Sequence, residues 1–232
     1  MRYIALDTET TGLSVESGHK LIEIGCLEIV DRTLTGKKFH KFINPDREIE
    51  ESATKIHGLT WANLKKYPLF EDIADEFCEF VKNSTLIIHN SRFDMGFLNA
   101  ELSLCGKSTL EGQIFDVIDS LALARALHPG KKNSLDVLCL RYKIDNSERT
   151  LHGALLDSNL LAKVYLAMTR GQENLDIQNK SNLNLDPIEK YKFIKEQVFV
   201  NKASNQENIT HRDYLKRMEK DCNGNILWKI IE

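Results

Sequence analysis

Hydrophobic residues follow two different spacings along the first 170 residues. Short apolar runs that end at polar or glycine-containing turns lie near 3–6, 21–30 and 39–43, and they predict a meander of three strands. A fourth run at 85–89 is short and rich in β-branched residues, as in a central strand that is buried on both faces.

Apolar positions at helical spacing follow the meander. They predict helices over 71–82, 91–104, 119–127, 134–142 and 154–169, and a short strand near 114–116. Asn90 and Ser91 are expected to cap the helix that starts at 91. Strands that come first and then alternate with helices are typical of an α/β domain with a mixed central sheet.

The composition excludes several classes of protein. The net charge of -3 over 232 residues gives no cationic surface, so a nucleic acid would have to be held by local geometry or by metal ions. The 5 cysteines are scattered and odd in number, which indicates reduced thiols and argues against a zinc site. The N-terminus lacks the apolar core of a signal peptide, and no run approaches the roughly 20 residues that span a bilayer. We therefore expect a cytoplasmic protein without a membrane segment.

The composition changes after residue 171. Residues 172–187 are polar, rich in asparagine and end near a proline, which predicts a flexible linker. Residues 188–232 regain some apolar side chains, but too few for an independent core. We expect a folded domain over 1–171, a linker, and a tail at 188–232 that orders on a partner, with disorder as the alternative.

Two acidic residues end the first strand. Asp7 and Glu9 stand two positions apart in the stretch ALDTETTGL, so their side chains point to the same face of the strand, about 6.6–7 Å apart. Like charges so placed raise each other's pKa unless a cation lies between them, and Mg²⁺ or Mn²⁺ would suit their oxygen atoms. The alternative is a pair of exposed carboxylates at a strand edge.

Two later acidic residues and one histidine extend this pattern. Asp94 lies in the first turn of the helix after the fourth strand, where it could reach the same sheet edge or simply favour the helix N-terminus. Asp157 shares the apolar stripe of the last helix, and a metal would offset the cost of burying its charge. His152 lies just before that helix and is a candidate general base, because histidine exchanges protons near neutral pH.

These residues carry a resemblance. Asp-x-Glu at 7–9, Asn-x-x-Phe-Asp at 90–94 and His-x₄-Asp at 152–157, in this order, resemble the three motifs of the DEDDh, or DnaQ-like, exonuclease family. The resemblance implies a ribonuclease H-like fold and hydrolytic removal of nucleotides from 3′ ends, and the 3′ end of single-stranded DNA is the expected partner. It also implies two divalent metal ions, Mg²⁺ or Mn²⁺, with His152 as the base and these metal ligands: Asp7, Glu9, Asp94 and Asp157.

The family also implies contacts with the terminal nucleotide. They fall on the three carboxylates Asp7, Glu9 and Asp157, on the segment after the first motif, and on the stretch ATKIHGLT: Thr10, Thr11, Gly12, Leu13 and His57. Glycine permits a close approach of the backbone, although an ordinary tight turn would also explain it. The family often has glutamate five residues before His57, whereas Ser52 stands there, beside Glu51. Phe93 and Phe97 could stack on bases, but their helical spacing favours the core.

The tail resembles that of polymerase-associated members of the family. This resemblance implies that residues 188–232 bind a polymerase subunit, with Trp228 as an anchor. Residues 172–177 resemble a sliding-clamp peptide, and a small accessory subunit is a further possible partner. Two other functions stay open: an exoribonuclease that trims RNA 3′ ends, which would not need the tail, and a non-catalytic adaptor, which would not need all of the motif residues.

Overall fold

The computed structural model describes residues 1–147, 149, 151–170 and 203–221. The chain divides into two compact units, Met1–Asn174 and Leu175–Glu232. The described residues of the first unit form five strands: β1 (Arg2–Thr10), β2 (Leu21–Val30), β3 (Thr33–Phe42), β4 (Thr85–Ile88) and β5 (Asp116–Asp119). Its described α-helices are α1 (Glu51–His57), α2 (Trp61–Leu64), α3 (Phe70–Val81), α4 (Ser91–Leu104), α5 (Ser120–Leu127), α6 (Leu135–Tyr142) and α7 (Ala154–Met168).

The five strands form one mixed sheet in the order β3-β2-β1-β4-β5. β1, β2 and β3 are antiparallel neighbours, whereas β1, β4 and β5 run parallel. The β2–β3 connection is a two-residue hairpin in which Asp31 and Arg32 both have positive φ, the backbone that such a tight turn requires. Helix α4 connects β4 to β5, as a parallel pair needs a longer crossover. The predicted meander and mixed α/β sheet are therefore confirmed.

The central strand β1 separates two apolar cores. Ile4 and Leu6 lie in the core that includes residues of α3 and α4, while Ala5 between them lies in the core that includes residues of α6 and α7. Both faces of the strand are buried, which explains why its sequence is an uninterrupted apolar run. The same alternation turns Asp7 and Glu9 toward the face that α7 covers.

A glycine lets α7 approach this face closely. Gly25 of β2 is the register partner of Asp7, and a Cβ at Gly25 would collide with the backbone of Ala154 in the first turn of α7. Only a residue without a side chain fits between the strand and the helix at this point. The start of α7, and with it Asp157, is thereby brought to the end of β1.

Three local expectations differ from the structure. The last strand covers 116–119 and not 114–116, because the β4 pairing starts at Asp116 while Phe115 is exposed. Helices α1 and α2 were not predicted, since 7 and 4 residues are too short to display a helical period. Asn90 occupies the N-cap position of α4 but makes no side-chain cap bond; the Asp119 carboxylate accepts from the backbone N–H groups of Asn90 and Ser91 instead, both at 3.3 Å.

In the second unit, the described residues form one helix, α8 (Asn205–Asp221), on which Ile209 and Tyr214 are exposed. The expected linker at 172–187, the stretch 172–177 and Trp228 lie outside the described residues. Within the described ranges, no helix combines the length and the apolar character needed to cross a membrane. The cysteines in those ranges, Cys26, Cys78, Cys105 and Cys139, are free thiols.

Candidate active site

A cavity of about 680 Å³ lies where β1 and β4 end. Parallel neighbours end at the same edge of a sheet, so the residues that follow them share this cavity. The cavity is lined by the side chains that the sequence motifs proposed: Asp7, Glu9, Asp94, His152 and Asp157. The structure thus brings the five candidate residues together, from three segments that are far apart in the sequence.

Three of the carboxyl groups are strongly perturbed by their surroundings, and two of them lie on β1. Burial, followed by the charges of Asp94, Glu9 and Asp157, raises the pKa of Asp7 well above its usual range. Burial, followed by the charge of Glu23 on the neighbouring strand, raises the pKa of Glu9 to about 8. The protein therefore holds carboxylates close together at a cost in free energy that a bound cation would remove.

Asp94 has a fixed hydrogen-bond partner. Thr8, which lies between Asp7 and Glu9 on β1 but points to the opposite face, donates its hydroxyl to Asp94 at 2.7 Å. Burial raises the pKa of Asp94 to about 7 in spite of this bond. The Thr8 hydroxyl thus ties helix α4 to the strand that carries the other two carboxylates.

Asp157 differs from the others because it is ion-paired. Arg149 donates from Nε and Nη2 to the two carboxylate oxygens of Asp157, at 2.5 and 2.6 Å, and from Nη1 to Asp136 at 2.5 Å. Nη2 also lies 2.9 Å from Nδ1 of His152. Burial by itself would raise the pKa of Asp157, but the neighbouring His152 and Arg149 outweigh burial and hold that pKa below its usual range.

The donor atoms fit a divalent cation. One ligand atom from each of Glu9, His152 and Asp157 lies within 4.8 Å of the others, and the two remaining motif carboxylates, Asp7 and Asp94, line the same cavity. Clustered carboxylate oxygens suit hard ions such as Mg²⁺ and Mn²⁺. The cavity wall also carries Lys131 and Lys132, so phosphate groups would meet positive charge here although the chain is acidic overall.

A second cavity, of about 230 Å³, shares Thr8 and Glu9 with the first and is lined by four of the residues expected to contact a nucleotide: Thr10, Gly12, Leu13 and His57. Thr11, which was also expected to contact the nucleotide, does not line this cavity and is fully buried. His57 is 5% exposed, and its Nδ1 accepts the backbone N–H of Leu59 at 3.0 Å. Its Nε2 is buried and has no hydrogen-bond partner among the described residues. Burial lowers the pKa of His57, which favours the neutral ring with its proton on Nε2. Because His57 lines the second cavity, this unpaired N–H group is a candidate donor to a ligand there.

The loop after β1 is held in place by a buried histidine. His19 bridges Thr11 and Glu50, with Nδ1 at 3.0 Å from Thr11 Oγ1 and Nε2 at 3.0 Å from Glu50 Oε1. A Cβ at Gly12 would overlap the His19 ring, so glycine is required for this packing. Leu13 follows with 81% of its surface exposed and lines the second cavity. The loop therefore presents an apolar side chain from a fixed backbone.

The structure also settles two points that the sequence left open. Ser52 lines the second cavity, whereas the Glu51 side chain is 84% exposed and pairs with Lys55. Glu51 therefore does not stand in for the glutamate that the family often has at position 52. Phe97 is buried in the core, as expected. Phe93 is only partly buried and lines both cavities, so its assignment to the core was wrong in part.

Sequence reasoning missed Arg149 and Thr8. Arg149 stands alone in a loop and belongs to no periodic pattern; its one signal is its position three residues before His152. Thr8 points away from the face that carries its acidic neighbours, and only the parallel pairing of β1 with β4 brings α4 within its reach.

The fold and the cavity define a nuclease of the exonuclease class. The family model described as Exonuclease (RNase_T) matches residues 4–165, the part of the chain that contains the sheet and all of the candidate residues. The solved structure of Exonuclease X in complex with 5′ overhanging duplex DNA is similar, with a TM-score of 0.58 and 26% identity over 74% of this chain and 92% of that chain.

Comparison with curated relatives identifies the subfamily within the exonucleases. DNA polymerase III subunit epsilon of Buchnera aphidicola subsp. Schizaphis graminum is 48% identical, over 94% of this chain and 97% of that protein. The protein of the same name from Escherichia coli K12 is 42% identical, over 98% and 97%. The chain belongs to the family of DNA polymerase III epsilon subunits, and the resemblance found in the sequence motifs is confirmed.

Proposed function

We propose that the chain is the 3′–5′ exonuclease subunit that proofreads for the replicative DNA polymerase III. Membership of the epsilon family supports the nuclease activity and the association with DNA polymerase III. The observation that carries the proposal is the convergence of four carboxylates and His152 on one cavity at a sheet edge. That set of groups suits hydrolysis of a phosphodiester bond.

The carboxylates Asp7, Glu9, Asp94 and Asp157 would hold two divalent ions, Mg²⁺ or Mn²⁺. When bound, such ions supply a polarised water and stabilise negative charge on the leaving 3′ oxygen. Asp7 lies on the central strand β1, where its backbone pairs with Gly25 of β2, two residues beyond the β4 pairing that ends at Ala5. Its position is therefore the least adaptable of the four, and its loss should be the most damaging.

The remaining groups act on protons and on the nucleotide. His152, whose side chain is 44% exposed, is the group that takes a proton from the attacking water. Nε2–H of His57 donates to an oxygen of the terminal nucleotide, and the loop at Thr10, Gly12 and Leu13 packs against its sugar and base. Lys131 and Lys132 hold the strand by its phosphates.

The selectivity of proofreading then needs no recognition of a wrong base. A mispaired 3′ end frays more readily than a paired one, so it reaches the cavity as a single strand more often. The enzyme needs only to bind an unpaired end. The cost of unpairing supplies the discrimination.

For the partners, we propose that residues 188–232 bind the alpha subunit of DNA polymerase III and that 172–187 is the linker to the domain at 1–171. A sliding clamp at residues 172–177 and a small accessory subunit are further proposed partners. A role in replication implies that the protein acts in the cytoplasm.

Trp228→Ala in the full chain should abolish capture of the alpha subunit, whereas Trp61→Ala on α2 should not. Equal capture by both variants would contradict the assignment of the tail.

The experiment that tests the proposed function uses labelled primers annealed to a template. One annealed DNA primer ends in a matched base pair and a second ends in a mismatch. Two free single strands of the same sequence, one of DNA and one of RNA, test the sugar preference. The mismatched DNA end should be removed faster than the matched end, and DNA should be cleaved faster than RNA. A preference for RNA would instead assign the chain to the exoribonucleases, and no cleavage of any substrate would favour a non-catalytic adaptor.

A further inference from the structure

Arg149 places a positive charge inside the carboxylate cluster. It lies in the loop between α6 and α7, and its side chain is only 6% exposed. Its Nε and Nη2 bond both oxygens of Asp157, at 2.5 and 2.6 Å. Such two-point contacts between arginine and a carboxylate are strong and directional. The guanidinium therefore uses both oxygens of a side chain that the proposed function assigns to a metal ion.

The same guanidinium contacts the proposed base. Its Nη2 lies 2.9 Å from Nδ1 of His152, closer than the 3.3 Å between that nitrogen and Asp157 Oδ2. Because a guanidinium carries only donors, Nδ1 must be the acceptor in this contact. The lone pair on Nδ1 is then engaged and cannot take a proton from water.

The guanidinium also overlaps the place where the donor atoms converge. The ligand atoms of Glu9, His152 and Asp157 lie within 4.8 Å of one another, and Nη2 of Arg149 bonds two of these three residues. A metal ion that binds Asp157 would compete with the guanidinium for the same oxygens and would be repelled by its charge.

We propose that Arg149 is a resident counter-ion of the metal site: it neutralises Asp157 and engages His152 while the metal is absent, and metal binding must displace it from Asp157. Asp136, which holds Nη1 and is not a proposed ligand, would keep the displaced side chain beside the cavity. The inference rests on the proposed function, since it concerns the metal site of that activity. Its consequence is that the carboxylates bind metal more weakly than they would without Arg149.

The test is a titration of the full chain with Mn²⁺ in the absence of DNA, followed by electron paramagnetic resonance or calorimetry. The variants are Arg149→Gln and, as a matched control, Arg125→Gln, which removes an arginine that lines the same cavity but forms no ion pair within the described residues. Arg149→Gln should bind Mn²⁺ about 10-fold more tightly than the wild type, because the competing charged hydrogen bonds are gone. Arg125→Gln should change the affinity by less than about 3-fold.

Unchanged or weaker Mn²⁺ binding by Arg149→Gln would overturn the inference, since Arg149 would then organise the ligands and not compete with the metal. Absence of Mn²⁺ binding in the wild type would overturn the metal site itself, which is a different result. The two failures are therefore distinguishable.

Thermal unfolding gives a second readout. In EDTA, Arg149→Gln should unfold at a lower temperature than the wild type, because Asp157 loses its partner, and saturating Mn²⁺ should close that gap. A gap of the same size with and without Mn²⁺ would contradict the proposal. If Arg149→Gln does not fold, Arg149→Lys keeps the charge but loses the two-point contact, and it should bind Mn²⁺ more tightly than the wild type; equal or weaker binding would again overturn the inference.

Discussion

Gly25 pairs with Asp7 across the β1–β2 ladder, and the first turn of α7 packs on Gly25 where a side chain would otherwise stand. The pairing fixes the position of one candidate ligand, and the missing side chain lets α7 bring another, Asp157, to it. Strand register and close packing thus bring Asp7 and Asp157 together without the help of a metal ion.

Gly25→Ala should damage activity by moving α7 away from the sheet. An added methyl group in a tightly packed interior costs about 1–3 kcal/mol in the free energy of unfolding, and the displaced helix should lower the cleavage rate by about 100-fold. Urea unfolding and a single-strand cleavage assay measure the two effects. Gly112→Ala, with open space around it, is the control and should behave like the wild type. Normal activity in Gly25→Ala would contradict the packing argument.

The metal-free protein should lose stability as the pH rises. The pKa of Glu9 is about 8 when folded against an ordinary value of 4.5, so between these values the folded chain keeps a proton that the unfolded chain has lost. The contribution of Glu9 is therefore fully present below about 4.5 and lost as the pH passes through about 8. Bound metal should reverse this trend, because it favours the ionised form.

Urea unfolding in EDTA between pH 5 and pH 8.5 tests this dependence. Glu9→Gln should show a shallower decline in stability with pH than the wild type, since its side chain does not titrate. Glu79→Gln, which changes an exposed side chain on α3, should leave the decline unchanged. Identical pH profiles for Glu9→Gln and the wild type would show that Glu9 keeps an ordinary pKa in the folded chain.

His152→Ala should lower the turnover number by about 10²–10⁴-fold, as expected when a general base is lost. The affinity for Mn²⁺, measured without substrate, should stay close to that of the wild type. A parallel fall in metal affinity would reassign His152 as a ligand, an arrangement that its distance to Glu9 and Asp157 would permit.

His57→Ala should weaken substrate binding and not metal binding. Loss of one hydrogen-bond donor to the terminal nucleotide should raise the KM for single-stranded DNA by about 10-fold, with a smaller effect on the turnover number. Steady-state kinetics measure the effect on substrate binding, and a Mn²⁺ titration measures the effect on metal binding. His211→Ala, an exposed position on α8, is the control. A fall in turnover with unchanged KM would place His57 at the reacting atoms and not at the nucleotide.

The sequence predicts the parts of the site that follow regular structure. Asp7 and Glu9 continue a period-two strand, Asp94 opens a helix after a buried strand, and Asp157 interrupts an apolar helical stripe, so each can be placed on a face of an element. Their convergence follows because parallel strands end at one edge of the sheet. The mixed sheet was predictable because its strands and helices also follow regular apolar spacings along the chain.

Contacts between separate loops were not predictable. The two-point contact of Arg149 with Asp157 depends on how a nonperiodic loop folds back on α7. The contact of His19 with Glu50 depends on the position of α1, which begins directly after Glu50 and is too short to show a helical period. Helix α4 takes its cap from Asp119, at the end of another strand, although Asn90 suggested a local cap. Such contacts are set by tertiary packing and leave no spacing in the sequence.

The most direct test of the central claim is a cleavage assay on 5′-labelled single-stranded DNA with the wild type and Asp7→Asn. The wild type should shorten the strand from its 3′ end with Mg²⁺ and not with EDTA, and Asp7→Asn should be inactive under both conditions. Asp7→Asn should nevertheless unfold in EDTA at a temperature no lower than the wild type, because it removes a carboxylate that its neighbours repel. Cleavage by Asp7→Asn at a rate near that of the wild type, or cleavage in EDTA, would contradict the account.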